Sequence, residues 1–476
     1  MNHRSYLPGL ITLFASCWLP GNCHAEQEKA PQPNFLFIIA DDCTYRDIGC
    51  YGGQAHTPNI DALARQGMRF TRSFQAAPMC SPTRHNIYTG IYPVKSGAYP
   101  NHTFVKAGTR SIVNYLKPLG YRVALSGKTH IQPRSIFSFE YSADKNNPDM
   151  KVIDQFLGEC RQDKTPFCLF ACSNEPHSPW NKGDASRYDP AKITLPPYFV
   201  DTPETRRNFS NYLAEITYLD GQVGECLRLL EKHQVSDNTL VIFTSEQGSG
   251  FPFAKWTCYD NGLQNALVAS WPGKIKPGQV SDAMIEYVDV VPTFVSAAGG
   301  KPAKVLDGKS YLPVLLGQAR EHKKHVYGLH TTRGIINGND FFGIRSIRGE
   351  RYKLIMNLTP EVRFQNACTK NEVFRSWEEK AKTDADAADK VRRYRHRPGL
   401  ELFNLSSDPL EWKNLADDPK LANIKSDLQA RLMAWMKSQG DEGQQTELEA
   451  LQHQGRNRNK NNKKKNNKSK NNQGTN

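Results

Sequence analysis

Four short apolar runs, each ended by charged or imidazole side chains, constrain the fold of this 476-residue chain most strongly. Continuous apolar runs of this length are typical of strands buried on both faces of a sheet. Helical patterns lie between them, the strongest over residues 211–233 and a shorter one over residues 59–65. The pattern predicts an α/β fold with a large, mostly parallel sheet sandwiched by helices. The four runs cover residues 35–40, 122–126, 167–171 and 240–244.

The polar groups that follow these runs are the first candidates for a functional site. In an open parallel sheet, ligands bind at the carboxyl ends of the strands, where the loops converge. Four polar endings at that edge therefore favour one polar active site over four unrelated turns. The groups are Asp41 and Asp42 after the first run, Lys128 and His130 after the second, His177 after the third, and Glu246 and Gln247 after the fourth.

The second half of the chain has a different pattern after about residue 316. A charged and weakly patterned stretch, residues 367–398, predicts an insertion or a long loop. We expect one large domain over residues 32–318 and a smaller α+β subdomain over residues 319–445. The subdomain's strand-like runs are residues 327–330, 342–347, 352–356 and 401–405, and its helix candidate is residues 421–437.

The two ends of the chain differ in composition from its body. Residues 1–25 combine a basic start, an apolar stretch and a small-residue cleavage site, which predicts a signal peptide and an exported protein, periplasmic or secreted. Residues 446–476 form a basic tail rich in Asn and Lys, and its last 26 positions hold eight Lys and Arg and no acid, over half of the net charge of +14. Such a composition predicts disorder. The tail could attract a polyanion or simply keep the protein soluble.

Export and composition also exclude several classes of function. An exported protein has no access to intracellular nucleic acid, so we expect no nucleic-acid partner. No later segment has the apolar length of a membrane span, so we expect no integral membrane association. The chain has eleven cysteines, two of them in the signal segment, and no C-x-x-C pair, which argues against zinc ribbons and thioredoxin-like sites. Disulfides remain open, since export permits them and sequence cannot pair them.

A short motif connects this pattern to a known family. Residues 80–84, Cys-Ser-Pro-Thr-Arg, carry the motif C-x-P-x-R and are followed by Tyr-Thr-Gly at 88–90. Together with Asp41-Asp42, residues 127–130, residues 176–180 and Lys255, in this order, the motif resembles the type I, formylglycine-dependent sulfatase family. The resemblance extends over residues 34–415. It implies an alkaline-phosphatase-like fold and the hydrolysis of sulfate esters.

A cysteine taken alone would be interpreted as a buried structural thiol, which is the commoner case. The resemblance implies a catalytic role for Cys80 instead. It implies that a formylglycine-generating enzyme oxidises Cys80 to an aldehyde, which hydrates to a geminal diol. One hydroxyl then attacks sulfur, and loss of the other hydroxyl's proton expels sulfate and restores the aldehyde. Arg84 would hold the formylglycine and stabilise its charge.

Four further residues receive roles from the same resemblance. Lys128 and Lys255 would bind sulfate oxygens as negative charge develops on them. His130 would be the base that removes the diol proton, and His177 the acid that protonates the departing alcohol. Taken singly, each lysine would be read as a surface residue and each histidine as structural, so these assignments rest on motif position.

The cation site follows from the carboxylates at the sheet edge. Asp41, Asp42, Glu246 and Gln247 supply hard oxygen ligands, which suit Ca²⁺ in preference to Mg²⁺. The modified Cys80 would complete the site. The pair Glu246-Gln247 departs from the family's commonest pattern, which has Asp followed by Asn or His. The longer side chain of Glu246 changes where a ligand oxygen can lie.

Substrate recognition is less constrained by the sequence. His102, His330 and Arg333 are candidate substrate-binding residues, although surface or packing roles fit them equally. Glu246-Gln247-Gly248 and residues 255–271 are similar to carbohydrate and N-sulfoglucosamine sulfatases. We therefore expect a sulfated carbohydrate substrate, a glycosaminoglycan or algal polysaccharide fragment.

Several alternatives remain open from the sequence. The chain could be an N-sulfoglucosamine sulfohydrolase or a general arylsulfatase. A phosphate-ester hydrolase of the related fold usually has a Ser or Thr nucleophile and more His and Asp ligands for two metals. A non-catalytic polyanion binder would use the basic tail, but it would not need every expected catalytic position.

Overall fold

A nine-stranded sheet forms the centre of the protein. The computed structural model describes residues 32–142 and 146–453, together with Met1 and His3. All described residues from Gln32 onward belong to one compact unit. The predicted signal peptide, beyond Met1 and His3, and the chain after residue 453 lie outside the described residues. In the described part, no helix has the length and apolar character needed to cross a membrane.

The large sheet is mostly parallel, as predicted. Its strands follow the order β4-β3-β5-β1-β6-β7-β2-β8, with β9 also paired to β2. The first five in this order are parallel to one another, and β7 runs antiparallel to both of its neighbours. The four predicted apolar runs are β1, β3, β5 and β6. The strands are β1 (Asn34–Ala40), β2 (Met68–Phe74), β3 (Arg122–Gly127), β4 (Glu140–Tyr141), β5 (Phe167–Cys172), β6 (Thr239–Ser245), β7 (Gln264–Ser270), β8 (Gln279–Ser281) and β9 (Ile285–Glu286).

Helices cover both faces of this sheet because alternate side chains of its central strands enter two hydrophobic cores. Leu36 and Ile38 of β1 pack in the core that contains α1, α5 and α6. Phe35 and Phe37 pack in the opposite core, with α2, α4, α8 and α9. The helices of this region are α1 (Pro58–Gln66), α2 (Cys80–Thr89), α3 (Pro93–Ser96), α4 (Ile112–Leu116), α5 (Met150–Gln162), α6 (Pro203–Lys232), α7 (Asp260–Leu263), α8 (Val290–Ala297) and α9 (Leu312–Leu315).

The longest helix, α6, begins eight residues before the predicted start at residue 211. Thr202 is its N-cap, and its side chain accepts a hydrogen bond from the backbone N–H of Thr205. Pro203 occupies the first helical position, where proline is well tolerated. The first turns carry few apolar side chains, which is why the hydrophobic period alone placed the start too late.

A second, four-stranded antiparallel sheet confirms the predicted α+β character of the C-terminal region. Its strands follow the order β10-β11-β12-β13, and α12 packs against β11 and β12. The elements are β10 (Val326–Thr331), β11 (Gly343–Arg348), β12 (Tyr352–Asn357), β13 (Leu400–Asn404) and α12 (Ala422–Gln439).

The stretch 367–398 is not the loop that we predicted. It contains two helices, α10 (Glu372–Lys380) and α11 (Ala385–Arg395). The side chains of Asn371 and Asp384 cap their N-termini. Trp377 is fully buried, and its indole N–H donates to Thr205 Oγ1 at 2.8 Å, which fixes α10 against α6. Helix α10 is only nine residues long and buries three of them, Val373, Phe374 and Trp377, so its apolar positions repeat too few times to be recognised in a charged sequence.

The packed chain also continues into the segment that we assigned to the basic tail. Helix α13 (Gln444–Glu449) lies partly within residues 446–476. Glu447 is fully buried and forms an ion pair with Arg345 at 2.9 Å. Arg345 also binds Asp441, so two carboxylates compensate the buried guanidinium.

Candidate active site

The polar groups after β1, β3, β5 and β6 meet at one edge of the large sheet, because these four strands are parallel neighbours. Backbone hydrogen bonds continue past the strand ends and fix this edge. Asp41 N donates to Glu175 O at 3.0 Å, between the β1 and β5 loops. Glu246 N donates to Ala40 O at 2.8 Å, which ties the end of β6 to the end of β1.

Cys80 lies at the centre of this edge, as the first residue of the fully buried helix α2. Its thiol donates to Asp41 Oδ1 at 3.4 Å. It accepts from Gln247 Nε2 at 3.1 Å and from Lys255 Nζ at 3.4 Å. Burial raises the pKa of the Cys80 thiol to about 12, and Lys255 only partly opposes this. The unmodified side chain is therefore a neutral thiol, which is a weak nucleophile.

Two lysines contact the two carboxylates next to Cys80. Lys255 Nζ donates to Asp42 Oδ2 at 2.7 Å, and Lys128 Nζ contacts Asp41 Oδ2. Burial opposes ionisation of Asp42, but the charges of Lys255 and His177 and the hydrogen bonds from Lys255 and Gln247 together outweigh it and lower the pKa of that carboxyl. Burial lowers the pKa of Lys128 to about 8. Because their positive charges lie beside Cys80, these lysines can receive an anionic group there.

Arg84 and Glu246 form a fully buried ion pair beneath the site. Arg84 Nη2 donates to Glu246 Oε2 at 2.7 Å, and Nη1 donates to the Lys128 carbonyl at 2.9 Å. Burial disfavours the Arg84 charge, yet Glu246 raises the pKa of the guanidinium above its usual value. Arg84 therefore fixes the loops after β3 and β6 relative to α2.

The remaining oxygens at this edge fit a hard cation. Glu246 Oε1 and Gln247 Oε1 are buried and have no hydrogen-bond partner among the described residues. Unpaired buried oxygens are costly unless a cation or water satisfies them. With the carboxylates of Asp41 and Asp42 they form an all-oxygen set of the kind that Ca²⁺ prefers.

His177 also borders this candidate cation site, which the sequence did not indicate. Ligand atoms of Asp41, Cys80 and His177 all lie within 4.8 Å of one another. The Nδ1 atom of His177 donates to the Ser178 carbonyl at 2.7 Å, and Nε2 lies 3.6 Å from Asp42 Oδ2. Asp42 raises the pKa of His177, but burial and the neighbouring lysines outweigh it and lower the pKa to about 4.

His130 follows β3 and pairs with a second histidine. Its Nε2 lies 2.9 Å from Nδ1 of His102. Burial is the main cause that lowers the pKa of His130 well below its usual range, and the charge of Lys128 adds to it. The His130 ring is therefore neutral at physiological pH.

These groups open onto a cavity of about 910 Å³. One wall is formed by the start of α10 and by residues 334–336, from the C-terminal region. The motifs did not indicate this wall, since the start of α10 lies in the charged stretch predicted as an insertion or a long loop and residues 334–336 lie between β10 and β11. Cavity-lining residues that the sequence analysis did not assign include Asn101, Trp180, Asn208, Trp256, Asn371 and Glu372.

Two of the three candidate substrate-binding residues lie outside the lining of this cavity. His102 borders it. His330 is fully buried on β10, with its ring 6.0 Å from that of Phe364. Arg333 stacks on Phe341 at 4.2 Å and binds Asp340 at 3.0 Å. Sequence position could not reveal that His330 faces the core of the small sheet.

The fold is shared with solved structures whose sequences are distant. A 2-O GAG sulfatase matches with a TM-score of 0.65 and 19% identity, over 86% of this chain and 93% of that chain. A protein solved in complex with its substrate D-glucosamine-2-N,6-O-disulfate matches with a TM-score of 0.65 and 19% identity, over 87% of this chain and 99% of that chain.

Sequence relatives extend over most of the chain. An ulvan-active sulfatase from Formosa agariphila is 36% identical over 421 residues, which cover 86% of this chain and 81% of the relative. Human N-sulphoglucosamine sulphohydrolase is 26% identical, over 86% of this chain and 90% of the relative. The family model for N-sulphoglucosamine sulphohydrolase, C-terminal, matches residues 248–368. The family model for Sulfatase matches residues 33–300, more than half of the chain. On this match and on the geometry around Cys80, the chain belongs to the sulfatase family.

Proposed function

We propose that this sulfatase removes sulfate from a sulfated carbohydrate, with formylglycine derived from Cys80 as its nucleophile and a divalent cation at the adjacent carboxylates. The main support is the position of Cys80. It lies at the edge of a large cavity and contacts Asp41, Gln247 and Lys255 at 3.1–3.4 Å. A formylglycine-generating enzyme would act on the chain before it folds around this buried residue.

The aldehyde supplies what the buried thiol lacks. A thiol or serine would form a stable sulfated adduct, whereas the hydrated aldehyde has a second hydroxyl. One hydroxyl loses its proton as its oxygen bonds to sulfur, the sulfur–oxygen bond to the alcohol breaks, and the alcohol oxygen keeps the electrons of that bond and takes up a proton. The second hydroxyl then loses its proton, its electrons form the C=O bond, and sulfate departs with the electrons of the C–O bond.

The charges around position 80 suit this sequence of steps. Lys128 and Lys255 bind sulfate oxygens, on which negative charge grows in the transition state. Asp41, Asp42, Glu246 and Gln247 would hold the cation, Ca²⁺ in preference to Mg²⁺. When bound, the cation supplies Lewis acidity that lowers the pKa of the diol and offsets sulfate charge.

The two histidines would move the protons. We assign His177 as the acid for the departing alcohol, because its Nε2 lies at the carboxylate edge and its Nδ1 is held by the Ser178 carbonyl. The negative charge of a bound sulfate ester favours the protonated form of the His177 ring. We assign His130 as the base, because its ring is neutral before reaction.

A carbohydrate substrate is supported by the relatives and by the cavity. The relative from Formosa agariphila is named for activity on ulvan, and the human relative for N-sulphoglucosamine. The cavity of about 910 Å³ has room for a saccharide beyond the sulfate. Trp180 and Trp256 border it and offer aromatic surface for the apolar face of a sugar. The predicted signal peptide would bring the enzyme to such a substrate outside the cytoplasm.

A panel of esters tests this proposal. Sulfate release would be measured by ion chromatography from ulvan and glycosaminoglycan oligosaccharides, N-sulfoglucosamine and nitrophenyl sulfate, with nitrophenyl phosphate as the matched phosphate ester. We expect release from at least one O-sulfated saccharide and much slower hydrolysis of the phosphate. Release from N-sulfoglucosamine alone would instead identify a sulfohydrolase for N-sulfate. Activity confined to the phosphate ester would refute the proposal.

A further inference from the structure

His102 and His130 form a direct contact between two imidazole rings at the edge of the cavity. The nitrogens Nδ1 of His102 and Nε2 of His130 are 2.9 Å apart, and the ring centroids are 4.8 Å apart. The two residues are 28 positions apart in the chain and lie in different loops, His102 between α3 and α4 and His130 after β3. The contact is therefore a product of tertiary structure.

Both histidines have a backbone conformation that is unusual for a residue with a side chain. The φ angles are 57° at His102 and 49° at His130, in the left-handed region. Such backbone conformations are unfavourable for residues with a side chain and persist where the surrounding structure imposes them. The loops are joined by a backbone hydrogen bond from Val105 N to Gln132 O at 3.1 Å. The fold thus maintains the ring contact at an energetic cost.

The hydrogen bond restricts where the single proton of the neutral His130 ring can lie. Nδ1 of His130 is buried and has no partner among the described residues. If His102 donated to Nε2, the His130 proton would have to be on Nδ1, as a buried unpaired N–H donor, which is rare in proteins. The ring would then also have no free lone pair and could not act as a base. The other arrangement, with Nε2–H donating to His102 Nδ1, leaves the lone pair of Nδ1 available.

We propose that His102 is a positioning residue: it accepts the Nε2 proton of His130 and so holds the tautomer in which Nδ1 of His130 can take a proton from the sulfated formylglycine. This rests on the proposed function. In that step the hydroxyl proton moves to Nδ1, the hydroxyl electrons form the aldehyde C=O bond, and sulfate leaves with the C–O bond electrons. His130 becomes an imidazolium with two N–H donors, and His102 still accepts one of them. This role differs from the substrate binding that we expected of His102 from sequence.

Two substitutions separate the positioning role from substrate binding. In His102→Asn, the side-chain oxygen can occupy the place of Nδ1 and accept the same hydrogen bond. His102→Leu has a similar size and no acceptor. We expect kcat to fall about tenfold or more in His102→Leu, as for other losses of a base's orienting partner. Because the slowed step follows release of the alcohol, KM should fall together with kcat, and kcat/KM should change little. His102→Asn should recover most of the loss.

The trapped intermediate provides a second measurement that a packing defect would not produce. Since His130 acts after the alcohol has left, His102→Leu should show a burst of alcohol release and a sulfated Cys80 peptide by mass spectrometry. Equal loss in both variants without sulfated peptide, or a rise in KM alone, would overturn the inference. His130→Ala is the control for the proposed function. If it traps sulfated enzyme and His102→Leu does not, only the inference fails; if neither traps it, the assignment of His130 as the base fails.

Discussion

At the residue scale, the side chains around Cys80 suit a bound anion better than they suit the unmodified thiol. Burial raises the pKa of its thiol to about 12, so the unmodified residue cannot supply a thiolate at neutral pH. Two positive charges nevertheless lie close to it. Lys255 Nζ is 3.4 Å from the Cys80 sulfur, and Lys128 forms an ion pair with the neighbouring Asp41. The charges at this edge therefore match a sulfate ester better than a thiol.

Substitution of His177 tests its proposed role as the acid that protonates the departing alcohol. A general acid matters most when the departing oxygen is strongly basic, as in a sugar alkoxide, and little when nitrophenolate leaves. We expect His177→Ala to lower kcat/KM about 100-fold or more on a sugar sulfate, within the range of acid catalysis, and less than about tenfold on nitrophenyl sulfate. Steady-state kinetics on both esters measure the difference. Equal losses would show that His177 has another task, such as holding the cation.

The sequence predicted which residues meet at the site better than it predicted the contacts of their side chains. Asp41, Lys128, His177 and Glu246 each follow a buried strand, and parallel strands bring their ends to one edge, so the convergence of these four residues follows from the sequence pattern. The ring contact of His102 and the burial of His330 do not. Those depend on loop conformation and on which face of β10 is covered.

At the scale of elements, the strands that are most completely buried were predicted best from the sequence. Strands β1, β3, β5 and β6 are covered on both faces, so nearly all of their side chains are apolar and the pattern is continuous. Helices α10 and α11 bury only a few residues, Trp377 and Tyr394 among them, and the rest of their surface is charged. These helices are nine and eleven residues long, so their apolar positions repeat too few times for the period to be recognised in a charged sequence.

The packing of helix α6 against the loop after β1 leads to a prediction on stability. Tyr212 of α6 donates to Asp47 Oδ2 at 3.1 Å, and burial raises the pKa of Asp47 to about 7. In the unfolded chain this carboxyl titrates near its ordinary value of 3.8. The folded state therefore binds the proton more tightly, and this contribution to stability, about 1.4 kcal/mol per pKa unit, is lost as pH rises towards 7.

Asp47→Asn should remove this pH dependence because the amide keeps an acceptor for Tyr212 and cannot ionise. Urea unfolding of both proteins at pH 5 and pH 8 measures it. From pH 5 to pH 8, the free energy of unfolding of the variant should rise by a few kcal/mol relative to that of the natural protein. A difference in unfolding free energy that stays constant with pH would mean that Asp47 is not protonated in the folded protein.

At the scale of the whole molecule, the residues that line the cavity and the residues that carry most of the net positive charge lie in different parts of the chain. The cavity is lined by both regions of the chain, since the large-sheet region supplies Cys80 at the start of α2 and the C-terminal region supplies residues 334–336 and the start of α10. Over half of the net positive charge lies instead in the last 26 residues. Their role, attraction to a polyanionic substrate or solubility alone, stays a prediction from composition.

The dependence of activity on the oxidation state of Cys80 tests the central claim most directly. Preparations produced with different amounts of formylglycine-generating enzyme would be compared by mass spectrometry of the Cys80 peptide and by sulfate release from the best saccharide of the panel. We predict that activity per chain rises in proportion to the fraction of aldehyde and extrapolates to zero without it. Cys80→Ala, which cannot be oxidised, should be inactive. Full activity in chains that retain the thiol, or in Cys80→Ala, would contradict the account.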